Sequence, residues 1–357
     1  MICRTNNQRM TSAVSAMGPD DFLLIIMLTA LTLYGILGGA DFGAGVWEFT
    51  TALQSTERER AHIYKAIGPV WEANHVWLIF VLVILLNGFP KAYALLGKTL
   101  WLPLLLVLCG IVFRGASYVF RSYGHGAKRE RLTWEWVFAV ASTATPFFLG
   151  ASAGAVAAGS LGTMASESPS HDLTGWMSSL SLFTGFYAVG MCAYLAAVYL
   201  TREAVVAGDE HLVQIWRQRA MSTGLWVGVL SFAGLVMISI EAPQLANAFK
   251  ARGWPFVLIS LCCGLGSLYE LWRHRASRAV LAAMGAVAAV LWGWGVAQYP
   301  VLIPPTLTGA DAQAPDNVLW WMLAVIVTGT LLLFPALGYL FYLFKSTGSG
   351  TAAVRDP

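Results

Sequence analysis

Charge is what this sequence lacks. Charged residues make up 11% of its 357 positions, where soluble domains carry about 25%. Hydrophobic residues make up 57%. The composition excludes an ordinary soluble domain and describes an integral membrane protein. The net charge of +3 is too small and too dispersed to suggest a nucleic-acid partner. Histidine is scarce, with six in all, and only His75 falls clearly inside an apolar run. No second intramembrane histidine completes a bis-His haem site, and methionine is more often a packing residue than a ligand. The five cysteines show no CxxC spacing, and Cys109, Cys192, Cys262 and Cys263 sit in apolar runs. They read as small buried apolar residues, not as a disulfide or metal framework. No P-loop, GxGxxG, HExxH or GxSxG motif occurs. Residues 1–20 hold Arg4 and Arg9 and no apolar core, so they do not form a signal peptide. A polar tail and an over-long start ahead of Met17 both fit this stretch.

What the chain has is long apolar runs. Segments of about 20 residues, enough to cross a bilayer, occur near 22–48, 68–97, 100–121, 134–158, 176–201, 220–241, 254–271, 279–298 and 319–345. The expected fold is an all-α integral membrane protein of about nine transmembrane helices. Pro90 and Pro103 blur one boundary, so eight is the other count.

Lys and Arg favour cytoplasmic loops. The segments after helices 1, 3, 5 and 7, with the C-terminal tail, hold 15 of the 22 Lys and Arg residues. The opposite set holds Arg4, Arg9, Lys91, Lys98, Lys250 and Arg252. This bias predicts the N-terminus outside and the C-terminus in the cytoplasm. The stretches 159–175 and 299–318 carry no Lys or Arg, as outer loops should. Trp101, Trp134, Trp254, Trp320 and Trp321 stand at span ends, where aromatic belts form.

The few ionisable residues inside apolar sequence carry the functional signal. They are Asp41, Glu72, His75 and Arg114. A charge at membrane depth is costly, so such residues face a protein interior or a water path and often pair. Asp41 is seven residues inward from Glu48, Glu72 seven from Lys65, and Arg114 seven from Arg121. At 1.5 Å rise per residue, each lies roughly 10 Å below the cytoplasmic surface. Two acids and one base thus share one depth on three consecutive helices. Asp41 can serve as a structural ion pair with Arg114 or in a proton path, and the two roles can coexist. Arg114 reads as a structural counter-ion, because Arg keeps its proton under almost all conditions. Glu72 is the stronger proton-transfer candidate, since a carboxyl in apolar surroundings exchanges protons nearer neutral pH. His75, on the same helix face as Glu72, can hydrogen-bond it, relay protons or ligate a haem. Glu135, Glu241 and Glu270 read as interfacial carboxylates. Gly35, Gly39 and Gly43 recur every four residues, the spacing that lets membrane helices approach closely.

Several segments resemble subunit II of the cytochrome bd-type quinol oxidases. They are YGILGGADFGAG at 34–45, ERER at 57–60, IGPVWEANHVWLI at 67–79, FPKAY at 89–93 and FRGASYVFR at 113–121. Gln298-Tyr299-Pro300, Pro304-Pro305 and the stretch Pro335 to Tyr342 also fit. The resemblance runs over nearly all of 22–345 and is densest over 30–121.

The resemblance implies two four-helix bundles plus one peripheral helix. The implied segments are a tail at 1–21, a first bundle at 22–158 with the polar cluster, a second at 176–298, a peripheral helix at 319–345 and a tail at 346–357. It also implies a haem-bearing subunit I holding b-type and d-type haems, with membrane quinol and dioxygen as the complex's substrates. Small accessory subunits and a structural quinone occur in some members, and no quinone contact is assignable here. Asp41 and Arg114 match the family's first-helix Asp and third-helix Arg. Glu72 falls where many members have Asp, and Ala73 where they have Gly. In the family that acid is associated with proton uptake from the cytoplasm. The rival expectation is a proton-coupled transporter with Asp41, Glu72 and Arg114 as its ion site. A third is a purely structural subunit.

Overall fold

The computed structural model describes residues 17–51, 57–67, 71–123, 128–159, 161 and 176–347. The first half comprises α1 (Pro19–Thr51), α2 (Glu57–Ile67), α3 (Trp71–Gly88), α4 (Pro90–Thr99), α5 (Trp101–Tyr123) and α6 (Lys128–Ala158). The second comprises α7 (Ser179–Val206), α8 (Glu210–Glu241), α9 (Pro243–Ala248), a π-helical turn at Phe249–Gly253, α10 (Trp254–Trp272) and α11 (Ala276–Gln298). An antiparallel pair of short strands, β1 (Val301–Ile303) and β2 (Leu307–Thr308), and one turn of helix, α12 (Gly309–Ala312), lead to α13 (Asp316–Thr347).

Among the described residues, eight helices are long and apolar enough to cross a membrane. The pair α3 and α4, bent by 115°, makes a ninth only when taken together as one broken span. The expected run at 68–97 is therefore not one straight helix. Pro90 takes the first position of α4, and Phe89 before it sits at φ −131°, ψ 59°, outside the helical region. Proline lacks the N–H that would continue α3 and restricts the residue ahead of it.

α1 is the hub. It packs on α3, α6, α7, α11 and α13. α5 lies on α6, α6 on α7, α7 on α8, and α10 on α11. These contacts are compatible with two four-helix sets and an outer α13. The small-residue stripe of α1 explains how α1 and α7 meet. A Cβ on Gly43 would stand 1.8 Å from the Cys192 carbonyl oxygen of α7, and one on Gly39 would stand 3.2 Å from Leu195 Cδ1. Small residues are what permit such backbone approach in a membrane, where lipid offers no hydrophobic drive for association.

Turns are set by local chemistry. α7 ends at Gly208, whose φ of +70° suits glycine. Asp209 then caps α8, its Oδ1 accepting from Leu212 N–H at 3.2 Å. Thr308 and Asp311 form a reciprocal capping box at α12.

One expectation fails in part. Of the described cysteines only Cys192 is buried; Cys109 and Cys263 are half-buried and Cys262 is exposed. An apolar run predicts burial when the solvent is water. On a helix facing lipid it predicts only apolar surroundings. Cys3 lies outside the described residues.

Candidate functional site

α1 and α5 present their charges to each other in register. Arg114 Nη2 donates to Asp41 Oδ1 at 2.5 Å and to the Asp41 carbonyl oxygen at 3.3 Å. Arg114 Nε donates to Ser142 Oγ of α6 at 3.1 Å. The two side chains are 5% (Asp41) and 2% (Arg114) exposed. Further along both helices, Arg121 grips Glu48 with two hydrogen bonds, Nη2 to Oε1 at 2.7 Å and Nη1 to Oε2 at 3.1 Å. Both pairs join residues 73 apart in sequence. A constant separation means that α1 and α5 run in the same direction. Seven residues are two helical turns, so the pairs form a ladder with rungs roughly 10 Å apart.

Aromatic rings fill the space around the cations. The Arg114 guanidinium carbon lies 5.0 Å from the Phe42 ring centroid and 5.0 Å from that of Phe138. The Arg121 carbon lies 5.2 Å from the Phe138 centroid and 5.6 Å from that of Tyr64. Phe138 therefore serves both rungs. Cation–π contacts contribute about 0.5–1 kcal/mol at exposed sites and about 2 kcal/mol or more when desolvated. Arg fits these positions because its planar group bonds carboxylate edge-on while its faces stack.

A third ring of charge belongs to α2. Arg58 pairs with Asp209 at 2.6 Å, Arg60 with Glu135 at 3.2 Å, and Glu59 with Arg219 at 2.8 Å. The Arg219 guanidinium carbon also lies 4.7 Å from the Trp216 ring centroid. The short α2 thus ties the ends of α6, α7 and α8 to the Arg-rich end of the molecule. Asp209 titrates below the usual carboxylate range, first because of the Leu212 N–H bond and then because of Arg58.

α3 completes the site from the other side. Asn74 Nδ2 donates to the Leu37 carbonyl oxygen at 3.4 Å. The His75 ring packs 5.8 Å from the Phe42 centroid and 6.2 Å from that of Tyr34. Four buried atoms here, Tyr34 Oη, Asp41 Oδ2, Asn74 Oδ1 and His75 Nδ1, have no hydrogen-bond partner among the described residues. Unsatisfied buried polar atoms are rare and ask for an explanation, commonly water or a functional proton. Asp41 thus has one oxygen held by Arg114 and one left to take a proton or a water.

Of the residues expected from sequence, Asp41 and Arg114 meet directly. His75 stands beside Phe42, the neighbour of Asp41. Glu72 belongs to α3, but its side chain lies outside the described residues, and so does any Glu72–His75 bond. Glu135, near the start of α6, receives Arg60. Glu241 accepts from Leu180 N–H at 3.0 Å. The Glu48–Arg121 rung was not anticipated as a pair. Its signal was present in the sequence, because both residues lie seven positions beyond the Asp41–Arg114 pair. Ser142 and Phe138 carry no such signal, since only the packing of α6 on α5 brings them in.

No group of three or more His, Cys, Asp or Glu side chains among the described residues could hold a metal ion. Rings of Tyr34 and Phe42 pack against His75.

The fold and site define a multi-pass α-helical membrane protein whose first helices enclose buried acid–base pairs near one end. Residues 20–344 match the family described as cytochrome bd terminal oxidase subunit II, and the chain belongs to that family. Cytochrome bd-I ubiquinol oxidase subunit 2 of Escherichia coli (strain K12) is 24% identical over 357 aligned positions, 88% of this chain and 92% of that protein. Cytochrome bd ubiquinol oxidase subunit 2 of Bacillus subtilis (strain 168) is 32% identical over 130 residues, 36% of this chain and 38% of that one. The solved bd oxidase of Geobacillus thermodenitrificans includes a chain of the same fold, with TM-score 0.72 and 23% identity, covering 92% of this chain and 99% of that chain.

Proposed function

We propose that this chain is the subunit II partner of a haem-bearing subunit I in a bd-type quinol:oxygen oxidoreductase. The complex oxidises membrane quinol and reduces dioxygen to water in a bacterial inner membrane. The haems, b-type and d-type, belong to subunit I and supply the electron-transfer chemistry. This chain stabilises that partner and conducts protons towards it. Its N-terminus faces outwards and its C-terminus the cytoplasm, as the Lys and Arg bias supports. On this reading residues 22–158 are the proton-conducting bundle, 176–298 the second bundle, and 319–345 the peripheral helix.

The single observation that carries the proton role is the buried Asp41 carboxylate, held by Arg114 on one oxygen while the other has no hydrogen-bond partner among the described residues. Glu72, one helix away, is the entry acid. Asp41 shares the route, Arg114 is its fixed counter-ion, and His75 is a relay. Arg114 sets the charge of the site without exchanging protons. The transporter reading has no equivalent support, because the family match spans residues 20–344.

The test of the complex is a visible spectrum after purification through a tag on this chain. Haem bands that co-purify with a second membrane subunit, and vanish when that subunit is deleted, are the expected result. A colourless single polypeptide without quinol-dependent oxygen uptake contradicts the proposal.

A further inference from the structure

At the end of the molecule away from the charge ladder, the chain builds a groove that the proton role does not use. It lies between the end of α8 and the start of α10, with the π-helical turn at its base, and encloses about 410 Å³. That volume falls in the usual range of ligand pockets, roughly 300–1,000 Å³. Its walls are apolar: Leu235 and Ile238 from α8, Phe249 from the turn, and Val257, Leu258 and Leu261 from α10. Lys250 is the only charged residue lining it, and Trp254 stands beside it.

The groove has a local cause. Pro255 lacks the N–H that would bond back to the preceding turn, and the chain takes the wider π form over Phe249–Gly253. π-Turns of this kind are frequent at functional sites. Gly253 lets the Phe249 ring fold inward, since a Cβ there would stand 2.6 Å from Phe249 Cδ1. The same turn separates the two cations it carries. Arg252 Nη2 is committed to the Ala297 carbonyl oxygen at 2.9 Å. Lys250 is exposed, lines the groove and has no ion pair with another described residue. Cations are few at this end, and Lys91 is already committed to the Asp311 carbonyl oxygen at 2.8 Å.

An apolar trough, a single uncommitted ammonium at its rim and an indole at the interface form an amphiphile site. The apolar wall excludes a soluble anion as the principal ligand. The unpaired ammonium favours an anionic headgroup over a zwitterionic one, which brings its own cation. We propose that the groove holds an acyl chain of one anionic phospholipid, with its phosphate against the Lys250 ammonium. The bound lipid caps the exposed faces of α8 and α10 that the protein leaves uncovered.

Native mass spectrometry of the intact complex, exchanged into phosphatidylglycerol or phosphatidylcholine, tests this. The wild-type complex is expected to retain one more phosphatidylglycerol than the Lys250→Gln variant does. Affinity for that lipid should weaken about fivefold, the effect of one basic residue near an anionic membrane surface. Phosphatidylcholine retention should not change. Ser239→Trp, which places an indole in the groove, should lower retention of both lipids. Lys250 is exposed and outside every packed cluster, so its variant should fold and assemble. Equal phosphatidylglycerol retention in wild type and Lys250→Gln overturns the proposal. So does a quinone, and no phospholipid, as the molecule released by unfolding and lost in Ser239→Trp.

Discussion

Asp41 and Arg114 form an ion pair at 2.5 Å, with side chains 5% and 2% exposed. Two turns on, Glu48 and Arg121 repeat the pairing between the same two helices. Removing one partner of a buried pair leaves an uncompensated charge, which costs about 3–5 kcal/mol, whereas replacing both by well-packed apolar residues is often neutral. Asp41→Leu is therefore expected to destabilise the subunit by about that amount. The double variant Asp41→Leu with Arg114→Met should recover most of it. Thermal unfolding of the purified complex reads the difference. Equal loss in the single and double variants would show that the pair does not hold the helices together.

The α1–α7 approach makes its own prediction. Gly43→Ala would force a methyl group into the Cys192 carbonyl, and overpacking typically costs about 1–3 kcal/mol. Yield of assembled complex should fall. Gly97→Ala, with nothing within 4 Å of its Cβ, should be neutral or stabilise by up to about 1 kcal/mol, the helix preference of Ala over Gly. A Gly43→Ala complex of normal yield would mean that α1 and α7 do not meet this closely.

These two sites also show what the sequence makes legible. The i, i+4 glycine stripe marked the close face of α1, and depth counting from Glu48, Lys65 and Arg121 set Asp41 and Arg114 level. Both readings rest on helical periodicity, which is local. Phe138 and Ser142 could not be read this way, because they reach the site through the packing of α6. The three pairs of α2 depend on how a short helix lies across the ends of longer ones. The bend at Phe89 was signalled by Pro90, but proline rules alone do not fix its 115° angle. The hairpin at 301–308 follows from no periodic pattern. Burial was the least legible property, as Cys262 shows, because lipid and protein interior select similar residues.

The α7–α8 junction is expected to respond to pH. Asp209 accepts from Leu212 N–H and pairs with Arg58. Its lowered pKa means that its contribution is present above the ordinary carboxylate value and is lost as pH falls through the folded value. The protection factor of the Leu212 amide, the intrinsic exchange rate divided by the observed rate at the same pH, should be high at neutral pH and fall only in acid, below the ordinary carboxylate value. Asp209→Ala should lower it across the pH range, and Asp209→Asn should remove its pH dependence while keeping the cap. A wild-type transition near pH 6 would point to a different group.

The most direct measurement of the proton role is uptake from the cytoplasmic side by the complex carrying Glu72→Gln, reconstituted in vesicles and driven by quinol. Glutamine keeps the size and polarity of the side chain and removes the exchangeable proton. Oxygen turnover and proton uptake are both expected to fall, with Glu72→Asp restoring much of each and haem content unchanged. Turnover and uptake equal to wild type in Glu72→Gln would contradict a proton route through this acid.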